Sequence, residues 1–181
     1  MLRSVKSAQL EAAGQRFAII ASKYNARYVD SMLDSAKRTL LARGAAEVKI
    51  VRVPGAFEIP VVASVLAQDA AEAFSAVICL GVILRGETTH ANHIAEAVSH
   101  ALAQIQVQHR KPVIHEVLLL ENEDQAKVRC LGAKHNRGVE AALTAMEMAQ
   151  VMKGFADEEQ ARSDEWWAQV KAKQKKLRGN E

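Results

Sequence analysis

The sequence predicts an α/β fold with a mostly parallel sheet, because short apolar runs alternate with amphipathic stretches along most of the chain. Four of these runs are predicted strands, at residues 17–21, 48–53, 76–84 and 112–120. The third run is apolar throughout, which is typical of a strand that is buried on both faces. We therefore expect a central sheet of four strands flanked by helices.

The stretches around these strands have the spacing of amphipathic helices. Gly44 follows the first stretch, and glycine is the usual residue just beyond the end of a helix. Pro60 falls in the first turn of the second stretch, where its missing N–H costs little. The predicted helices span residues 29–43, 56–68, 88–108, 123–130 and 139–152.

The length of 181 residues suits one well-packed domain. We expect an N-terminal arm over residues 1–15, a folded domain over 16–154 and a charged, helical tail over 155–181. The tail begins acidic and ends basic, which suits the dipole of a helix, and it contains both tryptophans, Trp166 and Trp167. Two interpretations of the tail stay open, namely a solvated terminal helix or a docking element that folds onto its own subunit or a neighbour.

The composition, 49% hydrophobic and 25% charged, is ordinary for a soluble globular protein. A net charge of +3 is far from the strong basic field of a nucleic-acid-binding protein, so we expect no nucleic-acid partner. The first 15 residues lack the apolar stretch of a signal peptide, and the longest apolar run, 76–84, is too short to span a membrane. Cys79 and Cys130 have no metal or redox spacing, and we expect reduced, buried thiols in a cytoplasmic protein.

Ligands of an open parallel sheet bind beyond the carboxyl ends of its strands, so the segments after the strands carry the candidate site residues. Tyr24 follows the first strand and could either stack on a planar ligand or cover the sheet edge. Gly55 and Glu58 follow the second strand at a helix start. The carboxylate there suits the helix dipole, and it could also accept hydrogen bonds from ligand hydroxyls.

The segment after the third strand is the most informative one. Residues 85–90 read RGETTH and run from the strand into a helix. Free backbone N–H groups together with the hydroxyls of Thr88 and Thr89 predict an anion site, and phosphate is its natural ligand. His90 lies beside this site as a candidate proton-transfer residue.

Two further groups of polar side chains allow alternative interpretations. His93, Glu96 and His100 share one helix face, but no further ligand has motif spacing, so we expect a polar surface and no metal. The cations near the last predicted loop are either solvated surface or the counter-charge of the anion site. They are Arg129, Lys134, His135 and Arg137.

These segments, in this order, resemble the lumazine synthase family. Residues 53–60 read VPGAFEIP, as that family's segment does, and residues 81–90, GVILRGETTH, are similar to its G-x-x-I-R-G-x-T-x-H stretch. Further matches continue in register, so the resemblance covers about residues 16–152. It implies a three-layer, flavodoxin-like sandwich whose central, mostly parallel sheet has four strands.

The resemblance also implies an activity, the condensation of 5-amino-6-(D-ribitylamino)uracil with L-3,4-dihydroxy-2-butanone 4-phosphate in riboflavin biosynthesis. It implies no metal and no organic cofactor. His90 would transfer protons, and Tyr24, where the family usually has phenylalanine, would stack on the pyrimidine. The remaining implied contacts are Ala56, Phe57 and Glu58 to the ribityl chain, main-chain groups of Val82, Ile83 and Leu84 to the pyrimidine edge, and Glu87 and Thr88 to the phosphate.

Arg129 matches the family's phosphate-binding arginine, which is contributed by an adjacent subunit. The resemblance therefore implies a homo-oligomer with sites between subunits, a pentamer that can pair into a decamer or build a sixty-subunit shell. The family's two lysines around the last loop correspond to Lys134, displaced by one position, and to Arg137.

The chain departs from the family pattern at several positions. His115-Glu116 stands where the family usually has Phe-Gly. The aromatic there belongs to the neighbouring half of the site and packs against the substrate ring, and the smaller imidazole of His115 can still stack on that ring. Leu119 and Leu120 replace the usual threonines, and the tail beyond Phe155 has no family counterpart. These departures leave open an alternative of another class, a non-catalytic relative that binds flavin or lumazine or forms a shell.

Overall fold

The computed structural model describes residues 10–68, 73–132 and 135–178 of the chain. Its centre is a four-stranded sheet in the order β2-β1-β3-β4, in which all three strand pairings are parallel. The predicted α/β fold with a parallel sheet is therefore confirmed. The strands are β1 (Arg16–Ser22), β2 (Glu47–Val53), β3 (Ala76–Leu84) and β4 (Val113–Leu120).

Helices connect and follow these strands. The predicted helix at 56–68 begins with a 3-10 turn over Ala56–Glu58, and the predicted helix at 123–130 ends in a π-helical turn over Lys127–Leu131. The helices are α1 (Ala26–Ala42), α2 (Ile59–Gln68), α3 (His90–His109), α4 (Glu123–Ala126) and α5 (Arg137–Arg178).

The predicted end of the last helix at residue 152 was wrong, because α5 continues to Arg178. Residues 153–178 contain no proline, and they are rich in alanine, glutamate, glutamine and lysine, which are good helix formers. Gly154 is the one weak helix former at the expected boundary, and its cost of about 1 kcal/mol relative to alanine is too small to end a helix.

Strand β3 is buried on both faces, as its apolar sequence predicted. Side chains alternate along β1, so Phe17 and Ile19 belong to a core with α1 and the first part of α5. Ala18 and Ile20 belong to a second core with α2 and α3. Helices therefore cover each face of the sheet and form three layers.

The start of α5 packs unusually close to α1. A Cβ atom built on Gly138 would lie 2.0 Å from the main-chain oxygen of Met32, so only glycine fits there. The amide of Asn136 donates to the carbonyl oxygen of Cys130 at 2.5 Å and accepts from the Gly138 N–H at 2.9 Å. These bonds tie the start of α5 to the π-helical turn that carries Arg129.

The chain divides into two units, Met1–Ala149 and Gln150–Glu181. The second unit consists of the C-terminal part of α5. Most of the predicted N-terminal arm lies outside the described residues, although Ala13 forms an antiparallel bridge with Ala45. Within the described ranges, no helix combines the length and the apolar character needed to cross a membrane.

Candidate functional site

A cavity of about 810 Å³ opens at the carboxyl ends of the strands, where the strand order changes direction between β1 and β3. Open α/β sheets bind ligands at this switch point, and the volume suits a small molecule. Nine of the residues predicted for the site line this cavity: Tyr24, Ala56, Phe57, Glu58, Val82, Ile83, Leu84, Thr88 and His90. The segments after β1, β2 and β3 thus converge as the strand directions predict.

Two aromatic rings stand exposed at the cavity. Tyr24 is 71% exposed and Phe57 is 61% exposed, so both present apolar surface to whatever enters. The ring of Tyr24 lies against Gly55, since a Cβ atom built there would be 3.0 Å from Tyr24 Cδ2. Gly55 therefore lets the tyrosine ring approach the loop after β2, which places the ring over the cavity.

Glu58 has a structural partner at the cavity. Its Oε2 accepts a 2.8 Å hydrogen bond from the main-chain N–H of Gly55, which caps the 3-10 turn after β2. The bond holds the carboxylate at the cavity wall. Because an ionised carboxylate accepts several hydrogen bonds, this contact leaves capacity for a ligand hydroxyl.

The predicted anion segment lies at the start of α3. Helix α3 begins at His90, and Gly86, Thr88 and His90 line the cavity while Glu87 does not. The residues from Arg85 to His90 are exposed, and the first-turn N–H groups of a helix carry partial positive charge. This end of the cavity is suited to an anion.

Arg85 anchors the same segment to the end of β4. Its guanidinium contacts both carboxylate oxygens of Glu121 at 3.0 Å and the Oδ1 atom of Asn92 at 3.0 Å. Its main-chain N–H donates to the Leu120 carbonyl at 2.8 Å. Arg85 therefore positions the loop, a role that the sequence pattern alone did not indicate.

Several residues that line the cavity were not predicted. Asn25 donates from Nδ2 to the main-chain oxygen of Val82 at 2.8 Å and has a left-handed backbone with φ of 56°. His93, Ile94 and Ala97 line the wall formed by α3. Their spacing from His90 is that of one helix face, so the helical period could have indicated them.

Among the described residues that line the cavity there is no lysine and no arginine. Arg129 is exposed on the π-helical turn and lies outside this lining, and Lys134 lies outside the described residues. In the described part of the chain, no three His, Cys, Asp or Glu side chains are close enough to hold a metal ion. The described lining therefore offers an anion the start of α3 and the hydroxyl of Thr88, without a cationic side chain.

Comparison with known proteins identifies the family. The family model for 6,7-dimethyl-8-ribityllumazine synthase matches residues 14–153. The chain belongs to the lumazine synthase family. It is 41% identical over 145 residues to the 6,7-dimethyl-8-ribityllumazine synthase of Xylella fastidiosa (strain 9a5c), covering 79% of this chain and 93% of that protein. It is 40% identical over 139 residues to that of Stenotrophomonas maltophilia (strain R551-3), covering 76% and 88%.

Two departures from the lumazine synthase pattern are in contact with each other. Arg137 donates to both carboxylate oxygens of Glu116, at 2.8 and 3.0 Å, and also pairs with Glu140. Burial raises the pKa of Glu116, and the charge of Arg137 offsets this only in part. Glu116 and Arg137 therefore neutralise each other as an ion pair, which accounts for the presence of both residues. The predicted contact of Arg137 with substrate stays a prediction.

His115, the third departure, is held by hydrogen bonds on the face of the sheet that α3 covers. Its Nδ1 accepts from the Val117 N–H at 3.3 Å, so Nε2 carries the proton and donates to Ser99 Oγ at 2.8 Å. Ser99 in turn donates to the Ala95 carbonyl at 2.7 Å. Burial lowers the pKa of His115, and the neutral ring does not line the cavity of its own chain.

Proposed function

We propose that this chain condenses 5-amino-6-(D-ribitylamino)uracil with L-3,4-dihydroxy-2-butanone 4-phosphate. The products are 6,7-dimethyl-8-ribityllumazine, phosphate and water, in riboflavin biosynthesis. The observation that carries the proposal is the family match over residues 14–153, whose two longest motifs meet at one cavity of about 810 Å³. An enzyme that catalyses this reaction is a transferase.

The pyrimidine substrate occupies the part of the cavity between β1, β2 and β3. Its ring stacks on Tyr24, and its ribityl chain runs along Ala56 and Phe57 with hydroxyls bound by Glu58. Main-chain groups of Val82, Ile83 and Leu84 bind the ring edge. Asn25 already donates to the Val82 carbonyl, but a carbonyl has two lone pairs and can accept a second donor from the ring.

The phosphate of the second substrate occupies the start of α3. Thr88 and backbone N–H groups bind it, and Glu87 contributes through its main chain because its carboxylate would repel the anion. His90, beside this pocket, moves protons during imine formation, loss of phosphate and ring closure. Holding both substrates in one cavity turns an encounter of two molecules into a reaction within one complex.

The counter-charge for the phosphate comes from Arg129 of an adjacent subunit. The absence of lysine and arginine from the described cavity lining supports this arrangement, since phosphate recognition normally uses such a cation. The assembly we propose is a ring of five chains, which can pair or build a larger shell. Cys79 and Cys130 are buried free thiols, which is consistent with a cytoplasmic enzyme.

The test is a turnover assay with the purified chain and both substrates. The lumazine product, followed by its absorbance, should form faster than in the spontaneous reaction. A chain that binds the product tightly without accelerating its formation would instead be a carrier or shell protein. That alternative is motivated by His115 and Glu116, which replace the residues usual in the family.

A further inference from the structure

The C-terminal unit, Gln150–Glu181, presents large apolar side chains to solvent. Phe155, Trp166 and Trp167 are 61%, 56% and 52% exposed. At 100° per helical residue, Val151, Phe155, Trp166 and Val170 fall within a sector of about 100°, an interrupted stripe that also contains Glu159, Arg162 and Gln169. The rings of Trp166 and Trp167 contact each other edge to face, with centroids 4.6 Å apart. A stripe of this kind on an otherwise polar helix marks a surface for association.

The charges of this unit are separated along the helix. Residues 150–170 contain five acidic and two basic side chains, whereas residues 171–178 contain five basic and no acidic ones. The acidic group at 157–159 precedes Trp166 by about 8 residues, and the lysines at 173–176 follow it by about 8 residues, which is about 12 Å in each direction. Trp166 is therefore the midpoint between the two charged groups.

We propose that residues 150–178 of one chain pair with the same segment of a second copy as an antiparallel two-helix contact centred on Trp166. In this arrangement the acidic group of each copy lies opposite the basic group of the other. A parallel pair would place acid against acid and base against base, which is repulsive. The tryptophans of the two copies then meet at the centre of the contact.

This contact joins separate rings, a step that rests on the ring of five chains proposed above. An antiparallel pair of identical helices has a two-fold axis, so each tail pairs with a tail that is related to it by that axis. Neighbouring chains in a cyclic ring of five are not related in this way. The tails therefore link chains of different rings, and the linked particle has at least twice the mass of the unlinked one.

The first experiment measures the mass of the full-length protein by sedimentation velocity. Trp166→Glu should lower the mass at least about twofold, because it places a charge at the centre of the contact. Ala168→Glu adds the same charge on the opposite side of the helix and should leave the mass unchanged. An unchanged mass for Trp166→Glu, or an equal loss for both variants, would overturn the proposal.

Tryptophan fluorescence distinguishes pairing with a second copy from packing on the same chain and from exposure to solvent. Both tryptophans of the chain lie in this segment, so the emission reports on it alone. On dilution of the wild-type protein, a shift of the emission to longer wavelength should accompany the fall in mass. Emission that stays blue-shifted after the mass has fallen would mean that the stripe packs on its own chain. Emission typical of exposed tryptophan at every concentration would mean a solvated helix, and either result overturns the proposal.

A second experiment tests the charge pattern. One full-length variant carries Asp157→Lys, Glu158→Lys and Glu159→Lys, and the other carries Lys173→Glu, Lys175→Glu and Lys176→Glu. Each alone should associate at least about tenfold more weakly than wild type, because every pair then faces like charge. An equal mixture should regain the wild-type mass, since opposite charges face each other again. A mixture that stays at the mass of the separate variants would overturn the antiparallel arrangement.

Discussion

The side-chain amide of Asn25 donates a 2.8 Å hydrogen bond to the main-chain carbonyl oxygen of Val82. The bond connects the loop after β1 to β3 across the switch point, between residues 57 positions apart in the sequence. Asn25 adopts a left-handed backbone with φ of 56°, which asparagine tolerates better than most residues. The contact fixes the turn that carries Tyr24, and therefore the position of the ring over the cavity.

Asn25→Asp should weaken binding of the pyrimidine substrate. Aspartate keeps the size and the tolerance for a left-handed backbone, but its carboxylate cannot donate to the Val82 carbonyl. We expect KM for the pyrimidine to rise by about tenfold and the protein to lose about 1–3 kcal/mol of stability. Asn25→Gly, which removes the bond without adding a charge, should have a smaller effect. Wild-type KM and Tm in the aspartate variant would show that the bond has no such role.

Gly138→Ala and Gly154→Ala are a matched pair of substitutions within α5. The first places a Cβ atom 2.0 Å from the Met32 oxygen, whereas the second meets nothing within 4 Å. We expect Gly138→Ala to cost more than about 3 kcal/mol of unfolding free energy, and Gly154→Ala to be neutral or stabilising by about 0.5–1 kcal/mol. Chemical denaturation measures both, and equal values for the two variants would contradict the packing of α1 against α5.

The stability of the protein should fall below neutral pH in part because of His115. Burial lowers its pKa in the folded chain, whereas the unfolded chain binds a proton near pH 6.5. The contribution of His115 is therefore complete above pH 6.5 and is lost as the pH falls through the folded pKa. Protonation of Nδ1 would also break its bond from the Val117 N–H.

His115→Gln should remove this part of the pH dependence. Melting temperatures of wild type and variant, measured from pH 8 to pH 5, should run parallel above neutral pH, with the wild type falling more steeply below it. The five other histidines are present in both proteins, so their titration cancels in the comparison. Parallel curves over the whole range would contradict an imidazole that is neutral in the folded chain because its pKa is lowered.

Arg129→Ala should reduce turnover more than His90→Ala does. In the proposed site the arginine anchors and orients the phosphate, and loss of such an electrostatic contact costs on the order of 100-fold to 1,000-fold in rate. His90 is exposed at the cavity, where water can replace part of its proton transfer. Arg129→Lys keeps the charge without the two-pronged geometry and should fall between wild type and Arg129→Ala. Equal rates for wild type and Arg129→Ala would reject the phosphate assignment.

Much of the fold could be predicted from local patterns. The run at 76–84 became β3 with the same bounds, because a strand buried on both faces is apolar at every position. The position of the loops that line the cavity could be predicted from strand direction alone, since the carboxyl ends of parallel strands lie at one edge of the sheet. The predicted helix end at residue 152 was wrong, because no residue there is unfavourable enough to end a helix and α5 continues to Arg178.

Two of the contacts that sequence reasoning missed join segments that are far apart in the sequence. The pair Glu116–Arg137 joins β4 to the start of α5, and the Asn25–Val82 bond joins the loop after β1 to β3. Asn25, Glu116 and Arg137 each look like ordinary surface residues in the sequence, and only the three-dimensional arrangement shows their partners. Arg137 is an example. The sequence predicted that it contacts the substrate, whereas in the structure its guanidinium is bound by the carboxylates of Glu116 and Glu140.

The central claim is that the cavity of one chain becomes a synthase site when a second chain supplies Arg129. Co-assembly of two inactive proteins, Arg129→Ala and Tyr24→Ala/His90→Ala, tests it directly in the turnover assay. If the site is shared, roughly a quarter of the sites in a random mixed ring combine an intact cavity with an intact arginine, and activity returns to about that fraction of wild type. Mixed rings that stay as inactive as the separate proteins would contradict a site shared between chains.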